Sequence, residues 1–414
     1  MKAACWLRFL GRGSESVKWQ EQLESLLGET VDSARERERQ AFDEVAGPWA
    51  KSVVLYGAGN LGRKTLRGLR KNGADAIAFA DANPALSGKQ VEGVPVFSPE
   101  EAVRRFGKEA VFVVCVWHPD RKHGVHDIMD RLSSMGVERV TSFVPLFWRS
   151  ADGLLPYYLW DLPSRLLAES AAIRETCSAL QEESREQFTR ELRMRLYGDF
   201  AVMNAPLQSP QYFAHELFEL SSAECFVDCG AFDGDTMREF VGAVDGRFRR
   251  LIGFEADATN FQRLEKYVAE QPQAIRERVV IHEAAVGRSS GTLRFAATAG
   301  TDAAVSATGD AVIPSVCLDD ALAGEVPTMV KMDIEGSEMD ALEGASRTIR
   351  AHRPLLAICV YHRPDHLWAI PLWMRKAQPE ARLFLKSYFV DGFDSVCYAV
   401  PPERIGRNGR KPAR

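Results

Sequence analysis

Twice along this chain a short apolar run ends in a glycine-rich turn and passes directly into a helical pattern. The first is Val53-Val-Leu-Tyr-Gly57-Ala-Gly59-Asn60-Leu-Gly62; the second is Phe226-Val-Asp228-Cys-Gly230-Ala231-Phe-Asp233-Gly234-Asp-Thr236. A strand that leaves its sheet through glycines into a helix opens a doubly wound α/β sheet. The glycines let backbone turn tightly and approach a ligand where a Cβ would collide. Two such openings suit 414 residues, a length that suggests two or three domains at about 150 residues each.

The surrounding texture agrees. Ser52–Tyr56, Ala76–Ala80, Val111–Trp117 and Val137–Val144 read as buried parallel strands, being short, apolar and bounded by turn formers. A second series follows at Cys225–Cys229, Leu251–Phe254, Val279–His282, Met329–Met332, Leu355–Tyr361, Arg382–Tyr388 and Ser395–Val400. A short turn at Asp391-Gly392 separates the last two, so this sheet is expected to have seven strands and to close with an antiparallel hairpin. The expected plan is α/β: a helical segment over 1–47, a smaller Rossmann-like parallel-sheet domain over 48–150, a helical connector over 151–210, the seven-stranded doubly wound domain over 211–401, and a basic disordered tail over 402–414. The alternating charges of Arg35–Arg39 read as a solvated helix face.

Charge and composition exclude several classes. With 52 basic against 57 acidic residues the net charge is −5, which offers no general attraction for nucleic acid. Apolar runs such as Val111–Trp117 are too short to span a bilayer, and the N-terminus lacks the apolar stretch of a secretory signal. Eight cysteines do not form a disulfide pattern, so a cytoplasmic protein is expected. His118, His123 and His126 have no completing cysteine or carboxylate and are read as loop or helix histidines.

The second series carries compatible chemistry at four strand ends. Asp228 and Asp233 flank the first glycine turn, where they would repel a pyrophosphate and welcome a cation. Glu255 ends the next strand, and a carboxylate there accepts hydrogen bonds from a ribose diol. Glu283 and Ala284 follow the third strand, where an adenine would lie. Lys331-Met-Asp-Ile-Glu-Gly-Ser-Glu338 ends the fourth and opens a helix, with Ser337 and Asp340 at capping-box spacing. A cation, a diol and no phosphate together describe S-adenosylmethionine.

These residues, together with Tyr361-His-Arg-Pro-Asp-His366 and Ser395-Val-Cys-Tyr-Ala-Val-Pro401, resemble the FkbM family of class I methyltransferases over about residues 210–401. The resemblance implies S-adenosylmethionine-dependent methyl transfer to a hydroxyl of a sugar, glycan or related natural-product acceptor. It also implies that the segment bearing Asp228, Gly230, Ala231, Asp233, Gly234 and Thr236 holds the methionine part, Glu255 the ribose, and Glu283 with Ala284 the adenine. Phe232 stands where the general methyltransferase pattern has a glycine, so either its side chain points away from the cofactor or the local geometry changes.

A sugar hydroxyl is a poor nucleophile until it loses its proton, so a base or a metal is wanted. Asp333 and His362 are the candidate bases, and Glu335 lies beside them. Asp333 and Glu335 would alternatively bind Mg²⁺ through hard oxygen ligands. Glu335 and Glu338 otherwise serve only the helix N-terminus, where negative charge is favourable. His362 and His366 cannot form a helical metal pair across Pro364.

In the first series Gly57, Gly59, Asn60 and Gly62 precede Asp81 at the next strand end, the context of a nucleotide-binding turn. The segment Asp81–Pro99 resembles small Rossmann-like domains attached to sugar-modifying enzymes, which implies a nucleotide or nucleotide-sugar partner. Two other functions remain open: an NAD(P)- or nucleotide-sugar-dependent sugar-modifying enzyme built on the first domain, and a non-catalytic S-adenosylmethionine-binding adaptor.

Overall fold

Apolar, β-branched sequence followed by glycine sets the centre of each sheet in the computed structural model, which describes residues 18–117, 123–203, 210–296, 304–305 and 311–406. The described chain divides into two units. One holds the residues up to Arg174, those from Arg185 to 203, and Ser387–Phe393; the other holds Glu175–Ser184, the residues from 210 to Lys386, and those from Asp394 onward.

In the first unit β1 (Val53–Tyr56), β2 (Ala76–Ala80), β3 (Gln90–Val91), β4 (Val94–Phe97), β5 (Val111–Val114) and β6 (Arg139–Ser142) form one sheet in the order β3-β4-β2-β1-β5-β6. All its pairings are parallel except the β3–β4 hairpin. β1 and β5 are buried on both faces, as a parallel sheet covered by helices requires. Gly62 explains how the helix Asn60–Lys71 packs so near: a Cβ there would lie 1.9 Å from the Gly57 carbonyl oxygen. Two helices, Lys18–Leu27 and Val31–Ala46, precede the sheet; residues 1–17 of the expected helical segment lie outside the described residues.

In the second unit β7 (Cys225–Cys229), β8 (Arg250–Glu255), β9 (Val279–Glu283), β14 (Met329–Met332), β15 (Leu355–Cys359), β16 (Arg382–Ser387) and β17 (Ser395–Val400) form a seven-stranded sheet in the order β16-β17-β15-β14-β7-β8-β9. β17 runs antiparallel to β15, while β7, β8, β9, β14 and β15 pair in parallel. The α/β class, the seven strands and the closing antiparallel strand are as the sequence suggests. A second, four-stranded sheet was not foreseen: β10 (Ala285–Val286), β11 (Gly291–Ala296), β12 (Ala304–Val305) and β13 (Ala311–Val316), in the order β10-β13-β11-β12.

Several local expectations are corrected. The expected strand Val137–Val144 stops at Ser142, whose hydroxyl accepts from the Val144 amide and starts the helix Phe143–Arg149. Ser337 makes no side-chain cap, so the Ser337–Asp340 capping box does not form. Arg404 leaves the tail: its guanidinium lies 2.7 Å from the buried Glu224 carboxylate and donates to the Thr328 carbonyl. Residues 407–414 of the expected tail, and His118, lie outside the described residues. His126 pairs with Asp130 at 3.4 Å, in keeping with a solvated helix residue.

Candidate active site

The first sheet order reverses between β1 and β5 and the second between β7 and β14, the places where α/β sheets open a crevice beyond their carboxyl ends. Both units use the same clamp there. In the second, Glu255 at the end of β8 accepts from the Phe232 amide (Oε2, 2.8 Å) and from the Asp257 amide (Oε1, 2.8 Å). In the first, Asp81 accepts from the Ala58 amide (Oδ2, 2.7 Å) and from the Asn83 amide (Oδ1, 2.8 Å). Each acid thus ties its glycine turn to its own strand end and is fixed in orientation. Each carboxylate oxygen keeps a lone pair for a ligand hydroxyl. Burial pushes the Glu255 carboxyl up in pKa, and the two amide bonds pull against it.

The turn itself is shaped by close approach. Gly230 has φ +83, and a Cβ on it would lie 1.9 Å from the Asp333 carbonyl oxygen; Gly234 has φ +90 and abuts Tyr267. Phe232 adopts φ +48, the left-handed conformation glycine takes most readily, at the position where the general pattern has a glycine. Ala231 is buried and donates to the Phe254 carbonyl (3.0 Å), while Asp233 Oδ1 is buried with no partner among the described residues. Thr236 is buried in the first turn of the helix Asp235–Ala243. Asp228 is fully buried and lies 3.0 Å from the ammonium of Lys331, which also donates to the Gly230 carbonyl at 2.7 Å. At the end of β9, Glu283 is exposed, Ala284 is buried, and His282 stacks on Phe254 with ring centroids 4.8 Å apart.

Beyond β14 the chain carries a dense polar cluster. Asp333 accepts from the hydroxyls of Tyr212 (2.7 Å) and Tyr361 (3.2 Å). His362 Nε2 lies 3.3 Å from Asp333 and 3.5 Å from Glu335, and its Nδ1 is 2.7 Å from Glu338. Glu335 is held at φ +52, a strained conformation of the kind found at functional sites. Burial opposes charge on His362, but the carboxylates of Glu338 and Glu335 outweigh it and hold the imidazole pKa well above its usual range. Burial pushes Glu335 up, against the pull of His362. Asp394 is raised to about 6, first by burial and then by the nearby Asp333.

Sequence reasoning brought Asp333, Glu335 and His362 together and the structure does the same. It missed Tyr212, a buried residue at φ +68 whose segment shows no motif, and the partnership of Glu338 with both histidines. The donor atoms of Asp333, Glu335 and His362 lie within 4.8 Å of one another. The Mg²⁺ expectation nevertheless gains no support. A metal-binding imidazole must shed its proton, whereas the carboxylates around His362 favour its protonated form.

A seven-stranded sheet with its glycine turn after the inner strand β7 and an acid at the end of the neighbouring β8 has the class I methyltransferase fold. Residues 228–388 match the family model described as "Methyltransferase FkbM domain". Residues 50–146 match a "CoA binding domain" model. The fold resembles the crystal structure of methyltransferase FkbM from Methylobacillus flagellatus KT, with TM-score 0.74 and 22% identity over 93% of this chain and 100% of that one. Curated relatives include the redox-sensing transcriptional repressor Rex of Roseiflexus sp. (strain RS-1), 29% identical over 29% of this chain and 55% of that protein. Rex of Streptomyces avermitilis is 31% identical over 25% of this chain and 40% of the relative. The chain thus spans about half the length of these curated relatives or less. Among the described residues no helix is long and apolar enough to cross a membrane.

Proposed function

We propose that the second unit is an S-adenosylmethionine-dependent O-methyltransferase acting on a hydroxyl of a sugar, glycan or related natural-product acceptor. The observation that carries this is the pairing of the Glu255 clamp at the end of β8 with the carboxylates of Asp333 and Glu335 at the end of β14. The cofactor supplies an electrophilic methyl group on a sulfonium. Glu255 holds the ribose diol, the Gly230–Gly234 turn admits the methionine part, and Asp228 acts through Lys331 to fix that turn. Ala284, beside the exposed Glu283, borders the adenine.

Asp333, Glu335 and His362 divide the remaining work. The carboxylates around His362 favour its protonated form, which disfavours it as the base. Asp333 is committed to two tyrosine hydroxyls. Burial raises the Glu335 carboxyl, which strengthens it as a base. It takes the acceptor's hydroxyl proton as the oxygen gains the methyl. The site keeps its net charge, because the proton arriving on Glu335 replaces the positive charge lost from sulfur. The acidic, hydroxyl-rich cluster favours a polyol over an anionic acceptor. The test is methyl transfer from labelled S-adenosylmethionine to a panel of sugars and glycans. Glu335→Gln should lower kcat about 10²–10⁴-fold with cofactor affinity unchanged. Cofactor binding by the wild type without transfer to any hydroxylated acceptor would instead support a non-catalytic adaptor.

A second reading concerns the first unit. The clamp of Asp81 on the Ala58 amide supports a nucleotide or nucleotide-sugar held by Gly57, Gly59, Asn60, Gly62 and Asp81. NAD or a sugar nucleotide should raise the melting temperature, and Asp81→Ala should abolish the shift. No shift with either would leave the unit an architectural role. An oxidoreductase built on this unit would require turnover with NAD. A cytoplasmic setting is proposed on the seven described cysteines, all free.

A further inference from the structure

One buried carboxylate organises the whole cluster beyond β14. Glu338 is fully buried at the first position of the helix Glu338–Gly344. Its Oε1 accepts from the Ile334 amide (3.0 Å) and the Gly336 amide (3.4 Å), gripping the loop on which Asp333 and Glu335 sit. The same oxygen lies 2.7 Å from Nδ1 of His362, and Oε2 lies 3.3 Å from Nδ1 of His366. His362 and His366 lie on opposite sides of Pro364, so the pair is joined through this carboxylate and not through a helix face. The opposite nitrogen of His362 then reaches both Asp333 and Glu335.

We propose that Glu338 is a positioning residue: it fixes the His362 ring so that Nε2–H is shared between Asp333 and Glu335, and through the ring and the loop amides it sets the spacing of those two carboxylates. This deepens the methyltransferase reading and rests on it for its catalytic meaning. A carboxylate that only supported the loop would need nothing but acceptor oxygens. Holding a charged ring in one orientation needs the negative charge as well. Burial opposes ionisation of Glu338, yet the two histidines hold its carboxyl well below the usual range. The charged groups facing His362 include Asp333, Glu335 and Glu338, Asp394 also interacts with it, and the Tyr361 ring lies 4.1 Å away.

The test is nitrogen NMR of imidazole-labelled full-length protein without cofactor, with the His362 signal assigned by its loss in His362→Gln. Glu338→Gln keeps an oxygen for the loop amides and removes only the charge. The wild type should show both His362 nitrogens protonated at neutral pH. Glu338→Gln should lower the His362 titration midpoint by about one pH unit or more, and Glu338→Asp should restore part of it. An unchanged His362 signal in folded Glu338→Gln would overturn the proposal. If that variant does not fold, the wild type decides alone: a neutral, single-tautomer His362 at neutral pH overturns it. Because the readout needs no cofactor, failure to bind S-adenosylmethionine would reject the methyltransferase reading without altering this result.

Discussion

Lys331 and Asp228 face each other across β14 and β7 at 3.0 Å, with almost no surface exposed on either. Burial lifts Asp228 to about 6 even with the ammonium beside it. Removing one partner of such a pair strands a charge in the interior. Lys331→Met should therefore cost about 3–5 kcal/mol in urea unfolding. Asp394 is raised in the same direction, and here removing the charge is expected to stabilise the fold. Its folded pKa of about 6 lies above its unfolded value, so the folded state holds the extra proton and stability falls as pH rises from about 4 to 6. Asparagine tolerates the left-handed backbone at this position, φ +54, and cannot ionise. Asp394→Asn should match the wild type near pH 4 and exceed it by about 1–3 kcal/mol at pH 7.5, read from melting curves at both values. A constant offset at both pH values would contradict the assignment.

At the scale of elements, the glycine turns separate packing from ligand approach. Gly230 has no room for a Cβ, because the end of β14 passes beside it. Gly230→Ala should destabilise the fold by about 2 kcal/mol or more and abolish cofactor binding. Gly59 has nothing within 4 Å of where its Cβ would lie. Gly59→Ala should leave the melting temperature unchanged, and a selective loss of the nucleotide-induced shift would show that a ligand occupies this space. Both turns, Glu255 and Asp81 were legible because glycine and acid spacing along a strand–turn–helix unit records backbone contacts. The cluster beyond β14 was legible only in part. Asp333 and Glu335 lie in one motif, but the grip of Glu338 on His362 spans 24 residues and that of Tyr212 on Asp333 spans 121, so no local pattern holds either. The strands β3 and β10 are two residues long, too short for periodicity to reveal.

At the scale of the whole molecule the chain carries a net charge of −5 and its described residues divide into two α/β units. The same acid-on-turn clamp occurs in both units, and in only one does a carboxylate–histidine cluster accompany it among the described residues. The most direct test of that asymmetry is calorimetric titration of the full-length protein with S-adenosylmethionine and, separately, with NAD. Micromolar binding of S-adenosylmethionine is expected, weakened by about 1.5–3 kcal/mol in Glu255→Ala, where hydrogen bonds to a charged group are lost. Binding of NAD alone, or S-adenosylmethionine affinity unchanged in a folded Glu255→Ala protein, would contradict it.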